Sequence, residues 1–221
     1  MARIARIVAP GYPHHITQRG NRRQQVFFND DDYLAYLDLM AQWSRKYKVD
    51  ILAWCLMPNH VHLVAVPQSE NGLARAIGEA HRRYTRRVNF REKWRGHLWQ
   101  ERFSSFVMDE PHLIAAVRYI EMNPVAAGLV YNPSDYRWSS ARAHLAGEDD
   151  ILVKVAPMLK MIDNWRDFLA LSSPEEVDLF HKHERTGRPL AAKTVIDTLE
   201  KSMGRALGPK KRGPKKKSVD N

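Results

Sequence analysis

Two histidines, His60 and His62, stand one residue apart in the apolar run MPNHVHLV, Met57 to Val64. In a strand, residues i and i+2 share a face, so both imidazoles would point the same way, with Val61 and Leu63 opposite. Two imidazoles side by side on a rigid strand can hold one divalent metal, and two histidines with ordinary hydrogen bonds is the plainer alternative. Two ligands make a poor site, so a third must come from elsewhere. The segment RYIEMNP offers Tyr119 and Asn123, four apart and on one helix face. An Asn carbonyl can ligate a hard cation, and a Tyr hydroxyl can attack an electrophile. Against this, Asn123-Pro124 is an ordinary helix stop that would end the helix there, and Tyr119 can simply pack with its hydroxyl satisfied. The spacing leaves both readings open.

The bulk composition narrows the partners. The chain has 221 residues, a net charge of +10 and a single cysteine, Cys55. That length suits one domain plus appendages, and 44% apolar residues suffice for a core. One cysteine excludes an internal disulfide and a multi-cysteine zinc site. The basic balance points to a polyanion, either nucleic acid or an acidic membrane surface. No apolar run approaches the roughly 20 residues of a membrane span, and a cytosolic compartment fits.

The elements that must carry these residues follow from periodicity. HHITQR (14–19) reads as a short strand between turn signals. NDDDYLAYLDLMAQWSRKYKV reads as a helix capped by Asn29 or Asp30, with Leu34, Leu37, Ala41, Ser44 and Tyr47 in its stripe. Two strand-like runs, DILAWCLM and HVHLVAV, meet at Pro58-Asn59. A second helix carries the stripe Leu73, Ile77, Ala80, Tyr84 and Val88, with Arg75, Arg82, Arg83, Arg86 and Arg87 largely off it. RFSSFVM alternates as a strand, and EPHLIAAVRYIEM is helical, with Pro111 suited to its first turn. The order matches the βαββαβ pattern of a ferredoxin-like antiparallel sheet with helices on one face. This unit spans residues 1–145. Residues 146–207 form a helical accessory region, and residues 208–221 a disordered basic tail with Lys210, Lys211 and Arg212. Arginines interleaved with His81, Tyr84, Trp94, Trp99, Arg102 and Phe103 suit single-stranded nucleic acid, where bases stack and phosphates pair with Arg. The alternative is a solvated helix face beside core aromatics.

LMPNHVHLV, GHLWQERF, RYIEMNPVAAGLV and DYRWSS, in this order, and the opening GYPHHITQRGNRRQQVFF resemble the REP-associated tyrosine transposases. Those are bacterial members of the single-tyrosine HUH transposase superfamily. The resemblance covers roughly residues 10 to 145. It implies a DNA endonuclease and strand transferase that nicks and rejoins single-stranded hairpins of palindromic repeats (REP elements). His60, His62 and Asn123 would hold Mg²⁺ or Mn²⁺, and Tyr119 would form a 5′-phosphotyrosine link. Arg19, Arg22 and Arg23 in the TQRGNRR loop, the arginines of helix 73–88, Arg102 and the basic tail are the candidate DNA contacts. Ala126 stands where the family commonly has Arg. The protein is expected in the bacterial cytoplasm at the nucleoid, as monomer or homodimer. Two other readings remain: a hairpin-binding protein with little or no turnover, and a zinc-dependent hydrolase built on His60 and His62.

Overall fold

A computed structural model describes residues 6–171 and 174–208, without the side chains of residues 174 and 175. The first elements are β1 (His14–Arg19), α1 (Asp30–Lys46), β2 (Val49–Met57), β3 (His60–Pro67), α2 (Gly72–Glu92), β4 (Ser104–Val107) and α3 (Glu110–Ala126). The strands form one sheet in the order β2-β3-β1-β4, antiparallel throughout. This is the expected ferredoxin-like arrangement. β2 and β3 are apolar on nearly every residue, which requires cover on both faces of the sheet.

One face is covered as expected. Asn29 caps α1 by accepting from the Asp32 N–H at 3.0 Å. The α2 stripe Leu73, Ile77, Ala80, Tyr84 and Val88 is fully buried against α1 and against Ile16, Val61 and Leu63 of the sheet. The α1 stripe differs at its ends: Leu34 is exposed, Tyr47 is only partly buried, and Tyr36 is buried instead. Phe27 stacks on Tyr33 at 4.4 Å and meets Tyr36 edge-on at 5.4 Å, so both rings gain aromatic contacts on the buried side of the helix.

The other face is covered by α3 and by helices from the C-terminal region. These are α4 (Ala141–Ala146), α5 (Ala156–Leu159), α6 (Trp165–Ala170), α7 (Pro174–Thr186) and α8 (Lys193–Met203). Leu113, Ala116, Val117 and Ile120 of α3 share a core with Val64, Phe106, Trp165, Phe168 and Phe180. α8 packs Leu199 against Ile7, Ala9 and Val107 beside β4.

α3 does not stop at Asn123. It continues through Pro124 to Ala126, and the Asn123 carbonyl accepts from the Ala127 N–H at 2.9 Å. Proline removes one helical bond, but Pro124 is buried, and packing outweighs the local preference. Tyr119 and Asn123 therefore share one face. Glu121, two positions beyond Tyr119, points roughly 200° away around the helix. It is wholly buried and accepts from Ser140 Oγ (2.6 Å), His144 Nδ1 (2.6 Å) and Trp165 Nε1 (2.9 Å). These three bonds fix the rotation of α3 and so aim Tyr119 at the sheet.

Candidate active site

His60 and His62 both project from the α3 side of β3, while Val61 and Leu63 enter the α1/α2 core. Their ring centroids are 4.9 Å apart. The β2–β3 turn is held in place by a neighbouring loop. Gly20 N–H donates to the Asn59 carbonyl at 2.8 Å, and Val26 N–H to the Pro58 carbonyl at 2.9 Å. A Cβ on Gly20 would lie 2.2 Å from the Gln24 carbonyl oxygen, so only glycine permits this approach. Asn59 Oδ1 in turn meets His60 Nδ1 at 2.6 Å.

The β1–β3 register adds three side chains to the same face. Arg19 lies opposite His60 and Thr17 opposite His62, and His15 follows by alternation. His62 Nδ1 is 3.3 Å from His15 Nε2. The α3 face supplies Tyr119 and Asn123. The Tyr119 ring stands perpendicular to the His62 ring, with centroids 5.5 Å apart. Arg19, His60, His62, Tyr119, Asn123, Ala126 and Glu184 all line one cavity of about 660 Å³.

Helix α7 brings residues that the motifs did not mark. Phe180 stacks on Tyr119 at 5.2 Å, and His181 Nε2 lies 3.3 Å from the Tyr119 hydroxyl. Glu184 Oε1 accepts from Thr17 Oγ at 2.9 Å and stands 3.7 Å from His15 Nδ1 and 3.9 Å from His62 Nδ1. The Arg118–Glu176 ion pair fastens the start of the helix to α3. His15, His181 and Glu184 carried a readable signal. Alternation places His15 with Thr17 and Arg19, and three-residue spacing puts His181 and Glu184 on one helix face.

Burial dominates the electrostatics. It lowers His60 to about 4, helped by the Arg19 cation, and His15 to about 3, helped by His181. His62 falls well below its usual value through burial and then the neighbouring His60 and His15. Burial raises the Glu184 carboxyl and pushes the Tyr119 phenol up, the latter reinforced by Glu184 and opposed by Asn123 and Arg19. The imidazoles are thus neutral at pH 7 and carry lone pairs. Neutral imidazole, an amide oxygen and a carboxylate form an N/O donor set that fits a divalent cation such as Mg²⁺ or Mn²⁺. His15, His62 and Glu184 also offer ligand atoms within 4.8 Å of one another.

Residues 10–123 match the protein family described as "Transposase IS200 like". The chain belongs to that family. This IS200-like transposase is 23% identical over 127 residues to the REP-associated tyrosine transposase of Escherichia coli, covering 57% of this chain and 73% of that one. It is 28% identical over 129 residues to a Haemophilus influenzae protein provisionally given the same name, covering 53% and 73% respectively. Its fold matches a REP-associated tyrosine transposase solved bound to a REP hairpin, with a TM-score of 0.58 and 23% identity over 70% of this chain and 92% of that one. The matched range contains His60, His62, Tyr119 and Asn123 and ends before α7.

The expected DNA contacts of this transposase fall in separate places. Arg19 enters the cavity. Arg22 and Arg23 are exposed on a left-handed loop backbone (φ +53° and +62°), and the Arg23 carbonyl accepts from Asn59 beside His60. Arg82, Arg83, Arg86 and Arg87 line a groove with the exposed Phe90. That groove is on α2, across the sheet from Tyr119. Arg82 pairs with Glu79 at 2.6 Å, and Arg83 lies over the Trp43 ring. Arg102 is exposed near the start of β4 and lines a different cleft with Ser104 and Arg185. Lys210, Lys211 and Arg212 lie outside the described residues. His81, Tyr84, Trp99 and Phe103 are buried, so they build the core under α2 and offer no face to bases, whereas Trp94 and Phe90 are exposed. Among the described residues, no helix is long and apolar enough to cross a membrane.

Proposed function

We propose that this transposase nicks and rejoins single-stranded DNA at hairpins of palindromic repeats, using Tyr119 as the nucleophile. The observation that carries this reading is the shared cavity. The Tyr119 hydroxyl, both imidazoles, Asn123 and Arg19 border one space, although three separate elements supply them. The bound hairpin of the structural relative supports the same class of DNA partner.

Arg19 holds a phosphate oxygen by charge and hydrogen bonding. The Tyr119 oxygen attacks phosphorus, its new O–P bond replaces the P–O3′ bond, and the 3′ oxygen leaves with the bonding pair and takes a proton from water to become a free 3′-hydroxyl. Burial raises the phenol, so its proton must pass to a base as attack proceeds. His181 Nε2, 3.3 Å away, takes it. The 5′-phosphotyrosine link keeps the phosphodiester energy, so a second 3′-hydroxyl can rejoin the strand without ATP. His60, His62 and Asn123 would hold a divalent cation, which when bound polarises the scissile phosphate and stabilises the leaving oxygen.

A second reading, hairpin binding with little turnover, draws on the position of α7, whose Phe180 and His181 lie against Tyr119. One assay separates the two. The full chain is incubated with folded palindromic oligonucleotides and Mn²⁺ or Mg²⁺, then run on a denaturing gel. The nicking reading expects a metal-dependent shifted band. Retained hairpin binding with no such band would favour the second.

A further inference from the structure

His15 belongs to no quoted metal or tyrosine motif, yet it is wholly buried at the floor of the site. Phe106, Tyr119 and Phe180 surround its ring. Its two nitrogens face different neighbours. Nε2 lies 3.3 Å from His62 Nδ1, whereas Nδ1 has no hydrogen-bond partner and stands 3.7 Å from Glu184 Oε1.

A neutral imidazole carries one proton, and its neighbours decide where. Glu184 Oε1 already accepts from Thr17 Oγ, so its oxygen presents negative charge toward His15. A bare lone pair on His15 Nδ1 would repel that oxygen, while an N–H there is attracted to it. The proton therefore sits on His15 Nδ1, leaving Nε2 as an acceptor. The 3.3 Å contact then requires His62 to donate from Nδ1, which strips its Nε2 of hydrogen. His60 reaches the same state by another route. Asn59 Oδ1 can only accept, so His60 Nδ1 donates and its Nε2 is bare.

We propose that His15 is a positioning residue which, set by Glu184 of α7, holds His62 in the Nδ1–H tautomer and turns its Nε2 lone pair to the cavity. The inference deepens the function proposed above and rests on its assignment of His62 as a ligand. It makes α7, which lies outside the family match, a working part of the site. Outer partners of this kind fix the ring and tautomer of a ligating histidine, and losing one typically weakens metal binding about 10- to 100-fold.

Long-range ¹H–¹⁵N spectra of the full, metal-free chain with labelled histidine rings, at pH 7.5, test this directly. His62 is expected with its proton on Nδ1, and His15→Phe, which suits the surrounding aromatic rings, should shift it toward Nε2–H. Mn²⁺ titration should show about a 10-fold or greater loss of affinity in His15→Phe, with partial recovery in His15→Gln, which restores an acceptor. A wild-type His62 protonated on Nε2, or His15→Phe with unchanged Mn²⁺ affinity, overturns the proposal. Failure of the underlying reading looks different: His62→Ala would then bind Mn²⁺ as tightly as the wild type.

Discussion

The Tyr119 ring stands at 89° to the His62 ring, with centroids 5.5 Å apart, and the two come from opposite walls of one cavity. β3 supplies one wall and α3 the other. The Glu121 network and the Asn59 turn hold these walls independently of any bound partner.

Tyr119→Phe separates chemistry from folding. The hydroxyl meets only the polar side chains of His181 and Asn123, and phenylalanine keeps the ring that stacks on Phe180, so the loss should cost about 1–2 kcal/mol of stability. Adduct formation should fall on the order of 10³-fold or more, as for loss of a nucleophile. Thermal melting and hairpin binding should stay near wild type. A variant that melts far below the wild type would place Tyr119 among core packing residues.

Glu121→Ala should destabilise the chain by about 3–5 kcal/mol, because it strands buried donors on Ser140, His144 and Trp165. Urea unfolding measures this. A loss below about 1 kcal/mol would mean that the network does not fix α3.

Acid should weaken the fold through its buried histidines, those of the site included. Burial lowers His14 to about 4 and His81 to about 3. His14 is pinned between the Ala9 N–H and the Tyr12 carbonyl, and His81 against the Tyr36 hydroxyl. Both pKa values are depressed in the folded state, so the unfolded chain binds more protons between pH 6.5 and 4. Stability is full above pH 6.5 and is lost as pH falls toward 4 and then 3. Melting curves should drop steadily from pH 7 to 4, and unfolding near pH 5 should take up protons. A flat profile over that range would contradict the burial of these rings.

The arginine groove should act on affinity and not on chemistry. Arg86→Ala and Arg87→Ala remove charge across the sheet from Tyr119. Each should weaken hairpin binding and reduce the salt slope by about one if it contacts a phosphate. The adduct rate at saturating DNA should not change. A slower rate at saturation would place the groove in the reaction path.

Much of this site was legible because it rests on two periods. Period two put His60 and His62 on one face, and four-residue spacing put Tyr119 and Asn123 on another. The same alternation marked His15, Thr17 and Arg19, but only the pairing of β1 with β3 says that these rows meet. α7 was readable as an amphipathic helix, though no local feature says where such a helix docks. Glu121 looks like any surface glutamate until its three donors, drawn from distant segments, are in place. Pro124 read as a stop because local preference was weighed without the packing that keeps α3 going. Tyr84 and Trp99 read as base-stacking candidates because aromatic residues among arginines look alike in a core and on a surface.

The most direct test of the central claim is peptide mapping of the covalent product. The full chain is incubated with a folded palindromic hairpin and Mn²⁺, nuclease-trimmed, digested and analysed by mass spectrometry. The account predicts a 5′-phosphonucleotide remnant on the peptide containing Tyr119 and on no other tyrosine. Cleaved DNA with every tyrosine unmodified, or a remnant on another tyrosine, would contradict it.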